Sequence, residues 1–168
     1  MSHSLSVLTS SKTDCWNTPP EVVREVLEFF DGTIHLDPCS NSHSTPNIPS
    51  LHQFTEEDDG LAHEWDYPTC FMNHPYSNSK QWVPYAVEQH NKHSTEMLLL
   101  VKMDVSTRWW QAVQPYPFLA YNRRLKFGDG KGAAPFQSAM IYLGKRLNRF
   151  IDVFSHNGVI YCPTNPLK

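Results

Sequence analysis

Several features that would assign a function at once are missing from this sequence. Its 168 residues carry a formal net charge of −3, which argues against a protein held to nucleic acid mainly by phosphate neutralisation. The four cysteines form no C-x-x-C pair, so neither a zinc ribbon nor a thioredoxin-like dithiol is encoded. No apolar run approaches the length of a membrane span, and the N-terminal segment is too polar for a signal peptide. We therefore expect a cytoplasmic protein with reduced thiols and no membrane partner.

Motifs for nucleotide hydrolysis, deamination and metal binding are missing as well. Glycine is modest at 7 residues, and the glycine-rich stretch 128–132 lacks the G-K-[ST] ending of a phosphate-binding loop. The dipeptide His63-Glu64 belongs neither to the H-E-x-x-H of zinc proteases nor to the H-x-E motif of zinc deaminases. Histidine pairs such as His90 and His93 have no second ligand pair at a recognised spacing. We therefore expect no metal site.

The order of apolar and amphipathic segments predicts the fold class. Helices are expected over residues 21–30, 79–91, 107–113 and 149–154, the last as a short helix or turn. Strands are expected over residues 33–36, 69–72, 96–101, 118–121, 124–127, 139–143 and 159–162. Uncharged strands between amphipathic helices are typical of an α/β sheet with both faces covered. We expect a flexible tail over residues 1–13, one compact domain over 14–168, and a long polar loop over 39–51.

The first helix has a clear start signal. Thr18 is a good N-cap residue, Pro19 suits the first helical position, and Glu21 completes a capping box three residues after Thr18. The apolar residues that follow recur at helical spacing, and Asp31-Gly32 ends the segment. The pattern predicts that the Thr18 side chain caps this helix.

Two polar clusters directly follow predicted strands. The first begins with Asp37 and the second with Asn73. Ligands of open α/β sheets bind outside the carboxyl ends of the strands, so both clusters are candidate site residues. A carboxylate at such a position suits a ribose or an ammonium group.

The second cluster, Asn73-His74-Pro75-Tyr76, suits an exocyclic amino group. The carboxamide oxygen of Asn73 and the backbone carbonyl of His74 can point at one amino group, and Pro75 restricts residue 74 to extended geometry. The Tyr76 ring can stack on a planar base. Together these groups would hold an extruded adenine or cytosine.

With these clusters, the sequence resembles the phage-type DNA N6-adenine methyltransferases. The resemblance runs from about Asp14 to Cys162 and depends on several short motifs in a fixed order. They are D-x-W-x-T-P at 14–19, L-D-P-C-S at 36–40, E-x-D-G-L-x-x-x-W at 57–65, N-H-P-Y-S at 73–77, Trp82, Trp109-Trp110, R-L-x-F at 124–127, and Ala134-Pro135 before Met140. The resemblance implies a Rossmann-like methyltransferase fold, S-adenosylmethionine as methyl donor and adenine in double-stranded DNA as substrate.

The resemblance also implies roles for individual residues. The donor-binding residues would be Trp16, Thr18 and Pro19 beside its methionine part, Asp37 and Cys39 in contact with it, and Asp59 and Leu61 near its adenosine. The catalytic group would be Asn73 with the carbonyl of His74, Pro75, and Tyr76 as the stacking ring. Methyl transfer would be direct, because the donor's sulfonium makes the methyl group electrophilic, and the protein aligns N6 and stabilises its developing charge.

One position departs from the family pattern N-P-P-Y, since residue 74 is histidine. The backbone carbonyl survives this change, but the fixed φ of proline is lost. The side chain of His74 would clash with a flipped base or contact DNA phosphate when protonated. Reduced or absent activity, or an altered substrate, is therefore expected.

Basic residues in the second half of the chain offset its acidity. A phosphate-facing strip could be formed by Arg108, Arg123, Arg124, Lys126 and Lys131. His74 and the acidic net charge also fit two other classes of protein. One is a methyltransferase-fold protein that binds donor or DNA without turnover, and the other is an inhibitor that contacts a host defence protein. Methylation of cytosine N4 or of RNA stays open as well, because the amino-group geometry is similar.

Overall fold

Seven strands form one sheet in the computed structural model, which describes residues 16–164. The strands are β1 (Ile34–Asp37), β2 (Ser50–Gln53), β3 (Thr69–Asn73), β4 (Glu96–Lys102), β5 (Phe118–Tyr121), β6 (Ser138–Leu143) and β7 (Gly158–Tyr161). Their order across the sheet is β2-β1-β3-β4-β6-β5-β7. The predicted tail over residues 1–13 lies outside the described residues.

The direction of the strands determines which loops share an edge of the sheet. β1 pairs in parallel with β2 and β3, and β3 pairs in parallel with β4. β6 is antiparallel to β4 and to β5, so β5 runs in the same direction as β4. The carboxyl ends of β1 to β5 therefore meet at one edge of the sheet. Loops that leave this edge follow Asp37, Asn73 and Tyr121.

Three α-helices cover the two faces of the sheet. They are α1 (Pro20–Phe29), α2 (Ser79–His93) and α3 (Leu147–Phe154). On one face, α1 and α3 pack on side chains such as Phe71 and Leu98. On the other face, α2 and a short 3-10 helix, Trp109–Ala112, pack on side chains such as Met72 and Leu99. Strand residues alternate between the two cores, which confirms the predicted α/β class and agrees with the expected Rossmann-like methyltransferase fold.

The predicted capping box at the start of α1 is wrong. The residue before the helix is Pro19, no side chain caps it, and α1 begins at Pro20. Thr18 is 2% exposed, and its hydroxyl accepts a hydrogen bond from Asn73 Nδ2 at 2.9 Å. The Thr18 hydroxyl therefore bonds Asn73, 55 residues away in sequence, and does not cap α1.

Three further differences concern short segments. β2 lies partly in the predicted loop 39–51, because its four residues carry no apolar run and become a strand only by pairing with β1. The predicted strand over 124–127 is absent, since this segment is irregular. The predicted helix over 107–113 is the single 3-10 turn Trp109–Ala112.

Candidate active site

The two polar clusters lie side by side at the carboxyl edge of the sheet. β1 ends at Asp37 and its neighbour β3 ends at Asn73. Both residues line one small cavity of about 30 Å³, together with Trp16, Thr18 and Pro75. The parallel strands therefore bring the Asp37 carboxylate, the Asn73 amide and the segment before α1 to one place.

The amide of Asn73 is held in a defined orientation. Its Nδ2 donates to the backbone carbonyl of Trp16 at 2.6 Å and to the Thr18 hydroxyl oxygen at 2.9 Å. A carbonyl oxygen accepts and never donates, so the NH₂ end of the amide must face Trp16. The Oδ1 end then accepts a hydrogen bond from the Tyr76 hydroxyl at 2.8 Å. Asn73 is thus pre-oriented by Tyr76, three residues further along the chain, and by the segment before α1.

The Oδ1 atom of Asn73 is already engaged, whereas the sequence predicted an oxygen open to a base. An amide oxygen carries two lone pairs, so it can accept a second hydrogen bond beside the one from Tyr76. An incoming amino group must therefore share Oδ1 with the Tyr76 hydroxyl or displace it.

The Tyr76 ring belongs to a cluster of four aromatic rings, which we call the aromatic cluster: Trp16, Tyr76, Phe127 and Phe136. Tyr76 meets Phe136 edge to face at 5.3 Å between ring centroids and Phe127 at 6.1 Å. The ring centroid of Trp16 lies 5.9 Å from that of Phe127 and 6.0 Å from that of Phe136, again edge to face. Edge-to-face pairs at these distances are favourable. The segment 122–137 between β5 and β6 therefore packs over the site through its two phenylalanines.

His74 points into the protein and not toward solvent. Its side chain is 2% exposed, and Nε2 lies 2.7 Å from the Ser79 hydroxyl oxygen at the first residue of α2. Burial lowers the pKa of this histidine to about 3, so the ring is neutral at physiological pH. The predicted phosphate contact by protonated His74 is wrong for both reasons. His74 also lines neither of the two cavities at the site.

Asp37 is a buried carboxyl group in the small cavity. It is 3% exposed, and its Oδ1 accepts a hydrogen bond from the backbone N–H of Cys39 at 3.1 Å. Burial raises its pKa from 3.8 to about 7, partly opposed by hydrogen bonds from Cys39 and Ser40. A carboxyl group that is costly to ionise in this position suits a cationic ligand that would supply the missing partner.

A second, larger cavity of about 580 Å³ adjoins the first and shares Cys39 and Pro75 with it. Its lining includes Asp59, Gly60, Leu61, Asn78 and Trp82. This volume lies within the usual range for small-molecule and cofactor sites. The two cavities lie next to each other and together form a candidate site for an elongated ligand.

Gly60 allows two walls of the larger cavity to approach each other. A Cβ atom at this position would lie 2.0 Å from the Pro38 carbonyl oxygen, so no side chain fits there. The Gly60 carbonyl accepts a hydrogen bond from Trp65 Nε1 at 2.9 Å, and the Trp65 backbone N–H donates to Gln89 Oε1 on α2 at 2.7 Å. Trp65 therefore connects the segment that contains Gly60 to α2.

The structure brings most of the predicted donor residues together. Trp16, Thr18, Asp37, Cys39, Asp59 and Leu61 each line one or both cavities. Pro19 does not line either of them, because it precedes α1 and its carbonyl accepts the backbone N–H groups of Val22 and Val23.

The five predicted phosphate contacts are exposed and lie in loops that follow strands. Arg123 donates to Asn157 Oδ1, Arg124 donates to the Ala134 carbonyl, and Lys131 is paired with Asp129. Lys126 adjoins Phe127 of the aromatic cluster, whereas Arg108 follows β4. Four of the five therefore belong to segment 122–137, next to the site.

Several residues at the site escaped the sequence analysis. Phe127 and Phe136 were assigned no role, and Asn47 holds Thr18 by accepting its backbone N–H at 2.8 Å. Two aromatic residues that flank a glycine-rich loop were an available signal, because such rings need a partner surface. Nothing in the sequence singled out Asn47 among the polar residues of its loop.

The part of the chain that the structure describes has neither a metal-binding cluster nor a membrane-crossing helix. Residues 16–164 contain no group of three or more histidine, cysteine, aspartate or glutamate side chains arranged to hold a metal ion. No helix within that range has the length and apolar character needed to cross a membrane.

Comparison with known proteins gives two matches. The model of the family described as DNA N-6-adenine-methyltransferase (Dam) matches residues 5–156. A protein of Haemophilus phage HP1 (strain HP1c1) named DNA N-6-adenine-methyltransferase is 33% identical over 100 residues. That match covers 60% of this chain and 56% of the phage protein, so the chain spans little more than half the length of this curated relative. No solved structure matches the chain.

Proposed function

Because the chain belongs to the DNA N-6-adenine-methyltransferase (Dam) family, we propose that it transfers a methyl group from S-adenosylmethionine to N6 of adenine in double-stranded DNA. The observation that supports this most is the position of Asn73. Its amide lies at the wall of the small cavity, and its Oδ1 accepts a hydrogen bond from the hydroxyl of Tyr76, a member of the aromatic cluster. Donor and base would thus meet at Asn73. Since the curated relative comes from a phage, we propose that the protein acts in the cytoplasm of a bacterial host.

The two cavities suit the proposed methyl donor. Asp37 offers a buried carboxyl group for the donor's ammonium group, and Trp16 and Thr18 flank the same cavity. Asp59, Leu61 and the close approach at Gly60 shape the larger cavity for the adenosine part. When bound, S-adenosylmethionine supplies an electrophilic methyl group on its sulfonium centre.

Asn73 and the backbone of His74 act on the adenine amino group. The Asn73 Oδ1 and the His74 carbonyl accept hydrogen bonds from N6, which aims the nitrogen's lone pair and stabilises the positive charge that develops on it. The hydrogen bonds from Nδ2 to Trp16 and Thr18 keep Oδ1 oriented without reorganisation during the reaction. The methylated nitrogen is a strong acid and loses its extra proton to water, so no general base is required.

The aromatic cluster is the proposed place for the flipped base. Tyr76 now meets Phe127 and Phe136 edge to face, and a planar base that stacks on Tyr76 must displace at least one phenylalanine. Segment 122–137 would move outward in this step. Its exposed Arg124, Lys126 and Lys131 would then contact phosphates beside the extruded nucleotide.

Product analysis tests this function. The purified chain is incubated with S-adenosylmethionine labelled in its methyl group and with duplex DNA, single-stranded DNA or RNA, and the products are digested to nucleosides for mass spectrometry. Labelled N6-methyl-2′-deoxyadenosine from duplex DNA is the expected product. Label in N4-methylcytosine or in RNA only, or no transfer to any adenine-containing DNA, would reject the proposed reaction.

A further inference from the structure

His74 and Ser79 connect the start of the loop after β3 to the start of α2. Residues 74–78 form this loop, which carries the proposed catalytic carbonyl and the Tyr76 ring. The Ser79 hydroxyl lies 2.7 Å from His74 Nε2 and 3.0 Å from the Tyr76 backbone carbonyl. One hydroxyl group therefore joins both halves of the loop.

The direction of these hydrogen bonds follows from the proton count. A serine hydroxyl has one hydrogen, and the Tyr76 carbonyl can only accept it. Ser79 Oγ must then accept from His74, so the imidazole carries its proton on Nε2. Burial keeps the ring neutral by lowering the pKa of His74 to about 3, which leaves Nδ1 without a proton. Nδ1 is buried and has no hydrogen-bond partner among residues 16–164.

The His74 ring also contacts the Tyr76 ring. His74 and Tyr76 meet edge to face, with ring centroids 5.3 Å apart and planes at 77°. The Tyr76 hydroxyl in turn donates to Asn73 Oδ1 at 2.8 Å. Contacts thus run without a gap from Ser79 through His74 and Tyr76 to the amide of Asn73.

We infer that His74 and Ser79 form a clamp that positions the His74 carbonyl and the Tyr76 ring for methyl transfer. The inference rests on the proposed function. A proline at position 74 would restrict the main chain through its ring, and the clamp achieves the same restriction through two hydrogen bonds. Both residues are positioning residues, because neither side chain lines the cavities at the site.

Four variants test the clamp: His74→Ala, Ser79→Ala, the double variant and His74→Pro. We expect each alanine variant to lower kcat for DNA methylation by about 10- to 100-fold, since a displaced reacting group costs rate on this scale. The dissociation constant for S-adenosylmethionine should stay within about 2-fold of the parent value. The double variant should lose no more than the worse single variant, because both substitutions break one linkage. His74→Pro should keep more of the wild-type kcat than His74→Ala does, since the proline ring restricts the main chain at position 74 in place of the clamp.

Nitrogen-15 NMR of the imidazole provides a readout independent of turnover. The clamp predicts an Nε2-protonated His74 that does not titrate between pH 5 and 8, and a changed signal in Ser79→Ala. Full activity of both alanine variants, additive losses, or donor affinity that falls in parallel with kcat would overturn the inference. Wild-type protein that transfers no methyl group would instead reject the proposed function. The clamp would still be tested by NMR in that case, and a His74 imidazole that titrates near pH 6.5 would reject it.

Discussion

We predict that Asp37→Asn is more stable than wild type, by a margin that grows as pH rises. We also predict that the substitution weakens binding of S-adenosylmethionine. The carboxyl group is 3% exposed and its pKa is raised from 3.8 to about 7 by burial. The folded chain therefore keeps a proton on Asp37 at pH values where the unfolded chain has released it. Stability from this group falls as pH rises from about 4 to about 7, because the folded state binds more protons in that window.

The size of the effect follows from the two pKa values. Each unit of difference between folded and unfolded pKa corresponds to about 1.4 kcal/mol, so ionised Asp37 costs on the order of 4 kcal/mol of folding free energy at pH 8. Asparagine is nearly isosteric and keeps an oxygen to accept the hydrogen bond from the Cys39 backbone N–H. The free energy of unfolding of Asp37→Asn minus that of wild type should therefore rise by about 1.4 kcal/mol per pH unit across the window.

Urea denaturation at four pH values between 4.5 and 7.5 measures this difference. His74 contributes with the opposite sign, since it is neutral in the fold and its protonation in the unfolded chain reduces stability below about pH 6.5. Both proteins contain His74, so the difference between them isolates Asp37. Exposed Asp152→Asn is the matched control. A stability difference that does not change with pH would refute the reasoning, and unchanged affinity for S-adenosylmethionine would refute the donor role of Asp37.

Two further predictions concern the walls of the site. Gly60→Ala should weaken donor binding by about 10-fold or more, because its Cβ would lie 2.0 Å from the Pro38 carbonyl oxygen and 3.1 Å from the Trp82 ring. Titration calorimetry with S-adenosylmethionine measures this loss of affinity. Gly132→Ala is the control, because its Cβ would meet nothing within 4 Å. Equal affinities of the two variants would contradict the prediction. Tyr76→Phe should keep activity within about 3-fold, since the ring remains and Asn73 Oδ1 is released, whereas Tyr76→Ala should raise KM for DNA by about 10-fold or more through lost stacking. Steady-state kinetics would contradict this if both variants were equally impaired.

The strand ends were predictable from the sequence, and the reason is topological. Asp37 and Asn73 each follow an apolar segment, and parallel strands place their carboxyl ends at one edge whatever the loops do. The family motifs pointed to the same residues. The structure accordingly brings both side chains to one cavity.

Contacts between segments distant in sequence were beyond prediction. Thr18 carries a good local capping signal, yet Asn73 and Asn47 engage it from 55 and 29 residues away. Propensity describes neighbours along the chain and contains no information about such partners. Likewise, the sequence could not give the direction of the His74 ring, which depends on a hydrogen bond to Ser79 and on burial.

Single-turnover methylation by wild type and Asn73→Asp tests the central claim most directly. The substitution keeps an acceptor for the Tyr76 hydroxyl but replaces the NH₂ group that donates to Trp16 and Thr18. We predict that wild type forms N6-methyladenine in duplex DNA and that Asn73→Asp is slower by about 100-fold or more, because a carboxylate oxygen would face the Trp16 carbonyl oxygen and displace Oδ1 from its position beside the base. Equal rates of N6-methyladenine formation by the two proteins would contradict the role of Asn73.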